Sequence, residues 1–149
     1  MMPLPIPVLL AAHFILGMTA TCGFALGFNV PREVLARTCF FGGGAYALRY
    51  VLMSYGQAPA AVAFWSALFV GFAGYLQARK VRVPRVLITV PAIVPLVPGI
   101  ASYDAIVCLF RGEVMEGLAS GVRATIVTAA LAGGLTVARA VTMSGRSDD

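Results

Sequence analysis

The chain has 149 residues, 60% of them hydrophobic and only 11% charged, with a net charge of +5 and a mean hydropathy of +0.89. Soluble domains of this size are about half apolar and about one quarter charged. A soluble globular fold is therefore excluded, and the composition is that of an integral membrane protein.

The first charged side chain is Arg32, and the start Met1-Met2-Pro3-Leu4-Pro5 lacks the basic n-region of a signal peptide. Residues 6–28 are long enough to cross a bilayer as a helix, and Asn29-Val30-Pro31-Arg32-Glu33 has the residues of a loop. A second span is predicted over 35–55, closed by Gly56-Gln57-Ala58-Pro59, and a third over 60–78, closed by a basic run from Arg79 to Arg85. The fourth, 86–110, contains Pro91, Pro95 and Pro98, and the fifth covers 117–141, followed by a polar tail from Ser144 to Asp149. The expected fold is an all-α membrane protein of five transmembrane helices in a single domain, the fourth helix broken at its Pro/Gly-rich stretch.

With five spans, the first and third loops and the C-terminal tail share one side. They carry Arg32, Arg37, Arg79, Lys80, Arg82, Arg85, Arg139 and Arg146, eight of the eleven basic residues, against only Arg111 in the other loops. Positive loops stay in the cytoplasm, which predicts an outside N-terminus and a cytoplasmic C-terminus. The same bias accounts for the net charge without nucleic acid as a partner.

Cys22, Cys39 and Cys108 have no metal or redox spacing, and His13 stands alone, which suits a packed side chain with one hydrogen bond or a proton relay. No nucleophile–base pair or metal cluster is visible, so neither catalysis nor a cofactor is expected. Gly42-Gly43-Gly44 and the small stripe Gly117, Gly121, Ala124, Thr128 suit close helix packing. Arg49, Asp104 and Arg123 lie inside predicted spans, where an ionised group costs roughly 2.5–3.5 kcal/mol. Counted from their nearest loops, all three fall in one layer. They form either snorkelling anchors with a hydrogen-bonded acid, or an anion site of net charge +1.

Prolines at membrane depth break backbone hydrogen bonds, which is tolerated where the backbone is buried in protein or lines a wet cavity. A kinked span is one reading. The other is a discontinuous helix of the kind carriers place near substrate, with Pro98-Gly99 as the break inside the bundle and Ser102 as the cap of the second half.

"GFALGFNVPREVL", "LRYVLMSYG" and "VPAIVPLVPGIASYDAI" together resemble the threonine/serine exporter family, and most closely its small YjjB-type subunit, over about Thr19 to Phe110. The resemblance implies export of small carboxylic or amino acids, threonine and serine in some members and succinate in others. It also implies a larger YjjP-type membrane subunit as partner, in the lipid bilayer, with room for a homo-oligomer. By matching position it adds Asn29, Arg49, Pro98, Gly99 and Tyr103 as site residues. Asp104 is outside that pattern, and its pairing with Arg49 rests on the residues alone. A structural or assembly subunit without its own substrate contacts is the alternative function.

Overall fold

The computed structural model describes residues 6–144, and among these all regular structure is helical. The helices are α1 (Ile6–Gly27), α2 (Arg32–Ser54), α3 (Pro59–Val81), α4 (Val86–Ile93), α5 (Gly99–Phe110) and α6 (Val114–Ser144), with a single 3-10 turn, Val94–Leu96, following α4. α1, α3 and α6 are long and apolar enough to cross a membrane, and the bent pair α4 and α5 makes a fourth crossing if it counts as one span. α2 has the length, but Arg32, Glu33, Arg37 and Arg49 dilute its apolar character.

Several helices outrun the apolar stretches that predict them. α2 starts at Arg32, α3 continues through Arg79 and Lys80, and α6 starts at Val114. Hydropathy marks where a helix can meet lipid, whereas backbone hydrogen bonding continues into polar flanks until a residue stops it. Three of the stops share one geometry. At the end of α1, Asn29 takes a left-handed φ of 53°, its N–H donates to the Leu26 carbonyl, and the Val30 N–H reaches back to Ala25. Gly56 and Gly112 close α2 and α5 in the same way. This is the Schellman cap, with its usual hydrophobic contact: Val30 packs with Ala25 and Val34.

Packing is set by small residues. A Cβ added at Gly42 would overlap the Thr21 side chain, so α1 and α2 approach as closely as a glycine allows. Along α6, Gly117, Ala124, Leu131 and Ala138 are buried at seven-residue intervals, the spacing that keeps one seam of a helix against a partner. The lower part of that seam meets α3, where Gly134 sits against the Phe64 carbonyl, and the upper part meets α5. Gly117 and Gly121 of the predicted small stripe thus pack on α5, where Ala105, its one buried residue, lies against Gly121, whereas Thr128 is exposed.

One end of the bundle gathers the positive charge. Arg37 Nη1 donates to Gln77 Oε1 at 3.3 Å, tying the start of α2 to the end of α3. Arg85 Nη1 donates to Thr142 Oγ1 at 3.0 Å, and its Nη2 to the Gly71 carbonyl at 2.8 Å, tying the start of α4 to α6 and α3. Val81 and Val83 pack on the same cluster as Val30, so the first and third loops lie together as the charge pattern predicts. Arg146 lies outside the described residues.

Candidate functional site

The fourth apolar stretch is broken. Pro91 sits inside α4, the 3-10 turn follows, Val97 is extended, and α5 leaves at 52° to the segment before it. α4 and its 3-10 turn are inserted among α1, α2 and α3, with Leu96 only 3% exposed. Beyond Leu96 the surroundings change. Among the described residues α5 touches α6 and no other element, and Val97, Gly99, Ile100 and Tyr103 are exposed. The break is therefore not enclosed by the bundle as predicted. It opens onto a free face, because α5 swings away from the three helices that bury α4.

The second half-helix also starts one turn earlier than predicted. Pro98 precedes its first residue, Gly99, and no side chain caps it. Ser102 is no cap: its hydroxyl donates back to the Pro98 carbonyl at 2.9 Å. Gly99 N–H turns back to the Val97 carbonyl at 2.8 Å. The next N–H groups, of Ile100 and Ala101, lie in the first turn, where no intrahelical acceptor exists. They stand at the positive end of the α5 dipole.

Beside that end lies an open groove of about 450 Å³ between α5 and α6, lined by Ser102, Ala124, Thr125, Thr128, Ala129 and Ala132. Its three hydroxyls share one polarity. Thr125 donates to the Gly121 carbonyl at 2.9 Å and Thr128 to the Ala124 carbonyl at 2.8 Å, as Ser102 does to Pro98. With each hydrogen committed to its own helix, what remains for the groove is acceptor lone pairs. The groove thus offers acceptors from Ser102, Thr125 and Thr128, and the free donors of the α5 terminus lie in the turn just before Ser102.

The predicted charged layer does not assemble within the chain. Arg49 is half-buried on α2, which touches neither α5 nor α6, so it meets neither Asp104 nor Arg123. Its guanidinium lies 5.5 Å from the centre of the Tyr46 ring. Asp104 and Arg123 are exposed on α5 and α6 and are outside the groove lining. Depth along a span says nothing about azimuth. Asp104 stands two residues from Ser102, about 200° around its helix, and Arg123 one residue from Ala124, about 100°, at 3.6 residues per turn. Asn29 caps α1 in an exposed loop and Tyr103 points to the surface at 67% exposure. Of the predicted site residues only Ser102 lines the groove, with Pro98 and Gly99 beside it. Among the groove hydroxyls, sequence reasoning missed Thr125 and gave Thr128 to the packing stripe. Hydroxyls one turn apart on a small-residue stripe were their only signal.

Two further clusters lie outside the groove. His13 stacks on Tyr50 with ring centres 4.1 Å apart, and its Nδ1 donates to the Leu9 carbonyl at 2.8 Å, which fits the packed side chain with one hydrogen bond. The α5–α6 turn brings Cys108, Glu113 and Glu116 within 4.8 Å of one another, a set that could hold a divalent cation and that no sequence spacing announced.

The family description "Threonine/Serine exporter, ThrE" matches residues 13–141. The chain belongs to the threonine/serine exporter family. No solved structure matches this exporter-family chain. Its role is thereby transport across a membrane that it spans several times.

Proposed function

We propose that this chain is one half of a secondary exporter of small amino acids, and that the α5–α6 groove is one wall of its substrate site. The observation that carries this is the polarity of the groove. The N–H groups of Ile100 and Ala101 and the dipole behind them suit a carboxylate, while the lone pairs of Ser102, Thr125 and Thr128 suit an ammonium and a side-chain hydroxyl. Threonine and serine present that combination. Succinate, with a second carboxylate facing acceptors, fits less well.

A groove this open needs a second wall. Asp104 and Arg123 are exposed on the same α5–α6 unit, and charges at membrane depth pair with one another or face protein or water. A larger YjjP-type membrane subunit that covers the groove and wraps around the α5–α6 unit to these charges would satisfy both and close the site. In this reading α2 is also a crossing, which makes five, with the basic end cytoplasmic in a bacterial inner membrane. The second reading, an assembly subunit, draws on the structural tasks that Asn29 and Ser102 already perform.

Thr125→Val and Thr128→Val keep shape and remove the acceptors. Losing a hydrogen bond to a charged group costs about 1.5–3 kcal/mol, so each should raise the apparent KM for threonine or serine about tenfold or more. Transport is measured with the partner co-expressed and assembly checked by co-purification. Unchanged KM in the double variant with an intact complex would reject the groove and favour the assembly reading.

A further inference from the structure

At the basic end of the molecule, α3, α4 and α6 border an open cavity of about 880 Å³ whose lining includes Arg79, Arg82, Arg85 and Arg139. No carboxylate among the described residues lines it. Arg85 is half-buried, and two of its N–H groups are committed to Thr142 and Gly71. A guanidinium has five donors, so Arg85 keeps others for a ligand. Burial, and after it the charge of Arg139, holds the Arg85 pKa below the ordinary guanidinium value. Four like charges around one cavity repel, and an anion among them removes that repulsion. Arginine forks match the oxygens of a phosphate, which can accept from several at once.

The rest of the lining is apolar. Val86, Val90, Leu135 and Met143 continue the cavity wall, and Val86 and Met143 are exposed on the chain's outer surface. A small soluble anion gains nothing from such walls, whereas a molecule with a phosphate head and hydrocarbon tails matches both halves.

We infer that this cavity is a binding site for the phosphate of an anionic phospholipid, held by Arg79, Arg82, Arg85 and Arg139 with its acyl chains along Val86 and Leu135. A lipid seated there bridges α3, α4 and α6 at the end where Arg85 already ties them together. Basic pockets between transmembrane helices recognise anionic headgroups by the same physics.

The test is native mass spectrometry of the purified full chain in a neutral detergent with phosphatidylglycerol added. It should retain phosphatidylglycerol in preference to phosphatidylcholine. R79Q/R82Q/R139Q, which leaves Arg85 and its ties in place, should bind about a hundredfold more weakly, from roughly fivefold per arginine. R82G, which suits the left-handed φ of 57° at that position, should weaken binding about fivefold with unchanged thermal stability in detergent. Equal retention of phosphatidylcholine, or undiminished binding by both variants, would overturn the assignment. Inorganic phosphate displacing the lipid at equal concentration would assign the cavity to a free anion and overturn the lipid. Truncation after Ser144 should leave binding in place; binding seen only after truncation would give the cavity to Asp148 and Asp149 and also overturn it.

Discussion

Thr21 shows how much this fold asks of single positions. It is fully buried on α1 against Gly42, and its hydroxyl has no hydrogen-bond partner. Buried polar atoms without partners cost about 1–3 kcal/mol, so the close approach of α1 and α2 outweighs a real penalty. Gly42→Ala forces a Cβ into Thr21, and overpacking of that kind costs about 1–3 kcal/mol. Thermal unfolding in detergent should show that loss, and Thr21→Gly in the same chain should recover most of it. Gly23→Ala, where a Cβ meets nothing within 4 Å, should be close to neutral and serves as the control. The triple glycine announced close packing, but its partner was invisible in the sequence, because nothing local pairs residue 42 with residue 21.

Among the elements, the α4–α5 break is the one on which function turns. Pro95 and Pro98 remove backbone donors, and the chain answers with a 3-10 turn, an extended Val97 and a new helix at 52°. The double variant Pro95→Ala/Pro98→Ala restores both donors and should let the span straighten. Spin labels at Val86 and Phe110, both exposed, should then move apart by about 3 Å, given two arms of roughly 16 and 18 Å at 1.5 Å per residue. Export should fall to background, because the N–H groups of Ile100 and Ala101 would be absorbed into a continuous helix. An unchanged label distance would show that the bend is held by α6 packing and not by the prolines. The prolines made the break legible in advance. The direction in which α5 leaves was not, since it depends on Ala105 finding Gly121 sixteen residues away.

At the scale of the whole molecule, charge is segregated. Seven basic residues of the described chain, from Arg32 to Arg139, belong to the end where Val30 meets Val83 and Arg85 meets Thr142. The α2–α3 turn at the other end carries none. If that asymmetry sets orientation as short basic loops do, Gln57→Cys should react with an impermeant maleimide from outside intact cells. Lys80→Cys should react only after the membrane is opened. The reverse pattern would invert the topology and place the arginine cavity outside.

The sequence by itself determined membrane residence, the helical class, the broken fourth stretch, the gathering of charge at one end and the family. Each follows from composition or from residues adjacent in the chain, where hydropathy, proline chemistry and motif order act locally. Only the tertiary structure decided which residues share a site. Arg49 matches Asp104 and Arg123 in counted depth yet stays apart from both, because α2 never reaches α5 or α6, and azimuth around a helix is fixed by packing, not by distance from a loop. The same packing set Thr125 and Thr128 beside the free end of α5 and folded four arginines from one loop and two helices around one cavity.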